Sequence, residues 1–119
     1  MLFLAIVGSR SFSDYTLLES ILNPIVQDEV EVTIVSGGAR GADSLAAMYA
    51  RKHELPLIEF IPDWSAGKHA GFARNGKIVN RADKILIFWD GASKGSEHTL
   101  KLALKMGKPT RVIYFTPQA

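Results

Sequence analysis

The sequence predicts an α/β fold: one domain over residues 1–119, built on a doubly wound, five-stranded parallel sheet with helices on both faces. Three observations carry that reading. Short apolar runs alternate with stretches of helical period, strand then helix four times over, closed by a fifth strand. The first and fourth runs are continuously apolar, as in strands covered on both faces. Glycine-containing turns follow several strands, at the points where a parallel sheet hands its chain to a crossover helix. The expected strand order is 3-2-1-4-5, with the topological switch between strands 1 and 4.

The elements follow in order. Leu2 to Val7 is the first strand, ended by Gly8. It lacks a basic leader and a cleavage site, so it is read as a strand and not as a signal peptide. Gly8-Ser9-Arg10-Ser11-Phe12-Ser13 is a turn, and Ser13 or Asp14 caps the next helix. Leu17, Leu18, Ile21, Leu22, Ile25 and Val26 recur at helical spacing, with Pro24 predicting a kink or break near Asn23. Asp28-Glu29-Val30-Glu31 is a solvated connector. Val32 to Val35 is the second strand and Ala42 to His53 the second helix. Leu57 to Ile61 is the third strand, with Glu59 marking it as an edge. Pro62 to His69 is irregular, and Ala70 to Ala82 forms the third helix. Lys84 to Trp89 is a central strand, and Asp90 to Gly95 a polar turn. Ser96 to Met106 is the fourth helix, stopped by Gly107 and Pro109. Arg111 to Phe115 is the last strand.

Composition sets limits on function. The chain is 47% hydrophobic and 22% charged, with a formal net charge of +2. That balance is too mild to argue nucleic-acid binding from charge alone. There is no cysteine, which removes thiol nucleophiles and zinc–thiolate sites. No run reaches the ~18 apolar residues of a membrane span, so the expected location is the cytoplasm, with no membrane partner. The histidines lack metal-ligand spacing, and neither a metal nor a cofactor is expected.

The topology sorts the chemistry. Every strand-to-helix turn falls on one edge of the sheet, the edge where such folds bind ligands. Gly8-Ser9-Arg10 lies there, as do Gly37-Gly38-Ala39-Arg40-Gly41, Asp63-Trp64 and Asp90-Gly91. Ser93-Lys94-Gly95-Ser96-Glu97-His98 completes the edge, and Arg74 and Asn75 follow the third strand's loop. The opposite edge carries Asp28-Glu29, Glu54-Leu55, Ala82-Asp83 and Lys108. Glycines admit close backbone approach, helix N-termini present free N–H groups, and arginine forks match phosphate. Gly37 to Asp43 and Gly95-Ser96 are thus candidate phosphate cradles, with Arg10 and Arg40 as neutralising contacts. The same glycines also serve a plain strand-to-helix turn. Asp43 has three readings: a complement to the helix dipole, an acceptor for a ribose hydroxyl, or a partner for Arg40. Trp64 is either satellite core or a stacking surface for a base. His98 is read as a helix-surface residue. Glu97 is either a first-turn carboxylate without chemistry or a general acid or base. There is no Walker-type phosphate loop, no G-x-G-x-x-G after the first strand and no G-x-S-x-G elbow.

Taken together, Gly8-Ser9-Arg10, Gly37-Gly38-Ala39-Arg40-Gly41-Ala42-Asp43, Trp64 with Ala70-Gly71 and Arg74-Asn75, and Asp90-Gly91 with Ser93-Lys94-Gly95-Ser96 resemble the SLOG superfamily. The likeness is to its small, single-domain, YspA/YpsA-related branch and covers nearly the whole chain. It implies a Rossmann-like fold binding a nucleotide or nucleotide-derived ligand, with homo-oligomerisation and a sensor role expected. Within the superfamily, some relatives cleave the N-glycosidic bond of nucleoside monophosphates and others bind single-stranded DNA. The hydrolase branch carries Pro-Gly-Gly-x-Gly-Thr-x-x-Glu before its last helix. This chain reads Ala92-Ser93-Lys94-Gly95-Ser96-Glu97-His98-Thr99 there, with Ser96 in place of threonine and the glutamate at another offset. The expected site is Gly8, Ser9, Arg10, Gly37, Gly38, Ala39, Arg40, Gly41, Asp43, Trp64, Arg74, Asn75, Asp90, Gly95 and Ser96. Glu97 is the preferred carboxylate if hydrolysis follows binding; nucleic acid is the less favoured ligand.

Overall fold

A computed structural model describes residues 1–117. Its elements are β1 (Leu2–Gly8), α1 (Tyr15–Gln27), β2 (Val32–Ser36), α2 (Ala42–Lys52), β3 (Leu57–Glu59), α3 (Ala70–Arg81), β4 (Lys84–Trp89), α4 (Lys94–Lys105) and β5 (Thr110–Tyr114), with a single 3-10 turn at Trp64–Ala66. The strands form one five-stranded sheet in the order β3-β2-β1-β4-β5, every pair parallel. The predicted α/β architecture and strand order are both present.

The period of two along each strand divides the core into two layers. Leu4 and Ile6 of β1, Ile34 of β2, and Leu86 and Phe88 of β4 face α1 and α2, where Leu18, Leu22, Ala46 and Tyr49 cover them. Ala5, Val7, Val35, Ile85 and Ile87 point the other way, onto Ile78 and Val79 of α3 and Ala103 of α4. β1 and β4 are the central pair, and their ends meet where the chain reverses direction across the sheet. Gly8 pairs with Phe88 at that point.

Four expectations need correction. Pro24 does not break its helix: α1 runs from Tyr15 to Gln27 through it. Proline removes one intrahelical bond at a cost of about 3 kcal/mol. Burial of Leu18 and Leu22, with Ile21, Ile25 and Val26 packed beside them, outweighs that at roughly 1.5–3 kcal/mol for each fully buried side chain. β3 stops at Glu59 instead of Ile61. Ser36 is the last β2 residue to pair, opposite Glu59, and its carbonyl accepts the Phe60 N–H at 2.9 Å. The chain turns away at Gly37, so Ile61 has no strand beside it and is 63% exposed. α4 starts at Lys94, two residues before the predicted Ser96. The Asp90 carboxylate accepts N–H bonds from Ala92 (2.9 Å) and Ser93 (2.8 Å). That curl brings Ser93 to the N-cap and moves Gly95-Ser96 inside the first turn. Trp64 is not core; it sits on the 3-10 turn and is 57% exposed. The remaining boundaries fall within one residue of prediction. Asp14 is the cap of α1, accepting the Leu17 N–H at 3.0 Å.

No helix among the described residues is long and apolar enough to cross a membrane.

Candidate functional site

Three strand-to-helix turns converge at the carboxyl edge and leave a cleft of about 370 Å³. The β1 turn contributes Gly8, Ser9 and Arg10; the β2 turn contributes Ala39 and, from α2, Asp43; the β4 turn and α4 contribute Asp90, Ser93, Gly95, Ser96 and Thr99. Arg74 and Asn75 of α3 close the side. A second cleft of about 270 Å³ adjoins it, lined by Gly37, Gly38, Arg40, Ile61 and Trp64. Arg10, Ala39 and Arg74 line both, so the two form one continuous groove.

Two glycines permit this convergence. Gly41 has φ +76°, a conformation L side chains rarely adopt, and a Cβ there would overlap the Ser9 carbonyl. That carbonyl accepts the Ala42 N–H at 3.3 Å, so the β1 turn caps α2. A Cβ on Gly37 would run into the Arg74 guanidinium and the Asp43 carboxylate. The glycine thereby makes room for both side chains beneath the turn.

The polar lining is a connected network. Ser9 Oγ accepts the Asp90 N–H at 3.1 Å and donates to Ser93 Oγ at 2.9 Å, since the Ser93 proton is used elsewhere. Ser93 Oγ donates to Ser96 Oγ, also at 2.9 Å. Ser9 and Ser96 are 2% and 5% exposed, so these hydroxyls are fixed by their partners. The Asp90 carboxyl is held below its usual range, chiefly by the Ala92 and Ser93 N–H groups. α4 itself has no side-chain cap at Ser93. The N–H groups of its first turn, from Lys94 to Ser96, therefore have no intrahelical acceptor and bear the positive end of the dipole.

Arg74 is half-buried. Its Nη1 donates to Gly37 O at 2.6 Å and its Nε to Asn75 Oδ1 at 3.0 Å. Burial lowers its pKa, and so does the Arg10 charge; Asp43 opposes both. Asp43 is only 4% exposed. Its Oδ2 accepts the Ala39 N–H at 3.1 Å, while its buried Oδ1 has no hydrogen-bond partner. Burial raises the pKa of this carboxyl, partly offset by the Ala39 N–H and by Arg74. The charge that acts on Asp43 is thus Arg74, and not Arg40 as one of its three readings had it. Arg10 and Arg40 are exposed at the groove. The ion pairs among the described residues are Glu19 with Lys52 and with His53, and Glu97 with Lys101. None of them engages Arg10, Arg40 or Arg74.

The groove gathers every glycine, arginine and serine expected there except Gly41, which lies behind it as the pivot of the β2 turn. Glu97 is not brought in. It is exposed and binds Lys101 at 2.9 Å, one turn along the outside of α4. Asn75 lines the cleft but its amide is spent on protein partners: Arg74, Gly95 O and His98. His98 is not a plain surface residue; it stacks on Phe72 with ring centroids 4.1 Å apart. Sequence reasoning placed Ser93 on the ligand edge but left it out of the expected site, and it missed Thr99 as a lining residue. Their signal was present, because Ser93, Ser96 and Thr99 recur at three-residue spacing along one side of α4. No group of three or more acidic, histidine or cysteine residues among those described forms a metal site.

Comparison with known proteins agrees with this fold. The gene 61 protein of Mycobacterium phage D29 is 34% identical over 112 residues, spanning 87% of this chain and 90% of that protein. The fold of DNA processing protein A from Streptococcus pneumoniae matches with a TM-score of 0.81 at 21% identity. The match covers 98% of this chain but 51% of that one, so the chain spans about half of that protein's length. DNA processing protein A from Helicobacter pylori, described for its single-stranded DNA binding mode, matches with a TM-score of 0.69 at 25% identity, over 99% of this chain and 66% of that one. The profile of the YAcAr family (YspA, cpYpsA-related SLOG family) matches residues 3–67, which carry β1, the Gly37–Gly41 turn, α2 and β3. The chain is a member of that family.

Proposed function

We propose that the chain binds a nucleotide or nucleotide-derived small molecule in the groove at the carboxyl edge of its sheet. One observation carries this: Arg10, Arg40 and Arg74 line a single groove with no ion-pair partner among the described residues, beside a helix whose first turn has no side-chain cap. The three arginines outnumber the two groove carboxylates, Asp43 and Asp90, and that net positive charge favours an anion. The phosphate sits against the first turn of α4, with Arg10 and Arg74 closing over it. Ser93, the most exposed of the three linked serines, offers its hydroxyl oxygen as an acceptor to a sugar. Trp64, exposed beside Arg40, offers a face for a base.

The geometry favours binding over hydrolysis. Glu97 faces Lys101 outside the groove. Of the groove carboxylates, Asp90 is committed to its own turn and Asp43 lies beneath the Gly37 turn.

A thermal-shift panel of nucleoside mono-, di- and cyclic phosphates tests the reading. A ligand at about 100 times its Kd adds about 2.7 kcal/mol of stability. A shift that disappears in Arg10→Ala supports the groove as the site. No shift with any nucleotide overturns the reading. Incubating nucleoside monophosphates with the protein and assaying for freed base tests hydrolysis, and no release is expected. Single-stranded DNA is the competing ligand. It predicts affinity for an oligothymidylate falling steeply with salt, whereas the nucleotide reading predicts that mononucleotides bind without any longer strand.

A further inference from the structure

Arg74 is held by a hydrogen-bond chain whose direction is fixed. Its Nε can only donate, so the Asn75 atom facing it at 3.0 Å is the amide oxygen. The Asn75 nitrogen, a donor, then faces Gly95 O at 3.5 Å and His98 Nδ1 at 3.2 Å. Gly95 O can only accept, which is consistent with that orientation. His98 Nδ1 must therefore also accept, and this requires a neutral imidazole carrying its proton on Nε2. Phe72 stacks on the ring at an interplanar angle of 21° and fixes its plane. Asn75 is only 6% exposed, so water has little access to replace either partner.

We propose that His98 is a positioning residue for the Arg74 anion site, and that a proton on His98 Nδ1 weakens ligand binding there. The inference rests on the ligand site proposed above and names its regulation. An imidazolium sets an N–H against the Asn75 amide nitrogen, donor facing donor. Rotating the Asn75 amide relieves that clash but turns its nitrogen toward Arg74 Nε, again donor facing donor. Swinging the ring away gives up the Phe72 stack. Each escape loosens the arginine fork from its fixed orientation. No charged side chain faces the ring to offset this. Asp43, beside Arg74, takes up a proton more readily than an ordinary carboxyl and acts in the opposite direction, so the His98→Asn variant isolates the contribution of His98. On α4, Glu97 and Lys101 pair with each other at 2.9 Å. On α3, Phe72 and Asn75 face the ring, and Arg74 reaches it only through Asn75. Burial lowers the His98 pKa, which keeps the accepting form in place at neutral pH.

Sulfate is a suitable probe because its charge is constant from about pH 7.5 to about pH 5, the range in which histidine titrates. Calorimetric titration of the whole chain, with the fold checked by circular dichroism, is expected to show affinity falling roughly three- to tenfold on acidification, the worth of one net hydrogen bond. Simple electrostatics predicts the reverse, since added protons attract an anion. His98→Ala is expected to bind weakly at both pH values. His98→Asn, whose amide oxygen lies near the place of Nδ1, is expected to recover part of that loss with no fall on acidification. Sulfate affinity that stays level or rises on acidification, or His98→Asn keeping the wild-type pH dependence, overturns the role of His98. That result leaves the ligand site standing if nucleotides still bind. Absence of both sulfate and nucleotide binding at neutral pH overturns the site itself.

Discussion

Asp43 and Arg74 lie side by side under the Gly37 turn, and their chemistry is set by burial. The Asp43 carboxyl has a pKa above its ordinary value because burial disfavours the charged form. A carboxyl of this kind holds its proton more tightly folded than unfolded, so it contributes stability as pH falls and detracts above its raised pKa. Asp43→Asn keeps an oxygen for the Ala39 N–H and removes the buried charge. Urea denaturation at neutral pH is expected to show a variant at least as stable as wild type, with any gain fading as the pH falls through the raised pKa. A clear loss of stability at neutral pH would contradict this account. Arg74 is the other residue-scale test. Lysine cannot reach Gly37 O and Asn75 Oδ1 at once from a single nitrogen, so Arg74→Lys is expected to weaken nucleotide binding about tenfold or more, close to the effect of alanine. At this scale the sequence exposes residue types but not partners. Arg10 and Arg74 are legible as cations on the ligand edge. That Asn75 serves Arg74 and not the ligand depends on His98 and Gly95 arriving from α4, a contact no local pattern records.

At the scale of elements, the turns are the sensitive parts. Gly41→Ala forces a side chain into a positive-φ position and against the Ser9 carbonyl. A cost of about 1–3 kcal/mol is expected from the backbone conformation alone, visible as a lower denaturation midpoint. It also separates the β1 and β2 turns, so ligand affinity should fall with it. Asp14→Ala removes the α1 cap and is expected to cost about 1 kcal/mol while leaving ligand affinity unchanged, since neither Asp14 nor any residue of α1 lines the groove. Element types were readable because strands buried on both faces and amphipathic helices leave different periods. The errors fell where a tertiary partner decides: β3 ends because β2 has turned away, and α4 starts early because Asp90 curls the chain. Pro24 misled because the helix rule is local, whereas packing of Leu18, Leu22 and their neighbours is not.

Across the whole molecule, parallel topology does what no single motif can. It carries turns separated by dozens of residues to one edge, and the separation of groove chemistry from the duller opposite edge was already legible in the chain. What stayed out of reach was the groove's division into a hydroxyl-rich part near α4 and an open part beside Trp64, because that depends on how the segment after β3 lies across the sheet. The central claim is that a nucleotide binds at this edge. The most direct test is a nuclear magnetic resonance titration of the labelled chain with the nucleotide that gives the largest thermal shift. The account predicts saturable amide shifts concentrated at Ser9–Ser11, Gly37–Gly41 and Lys94–Ser96, together with the Trp64 indole. No saturable shifts, or shifts centred on the outer faces of α1 and α2, would contradict it.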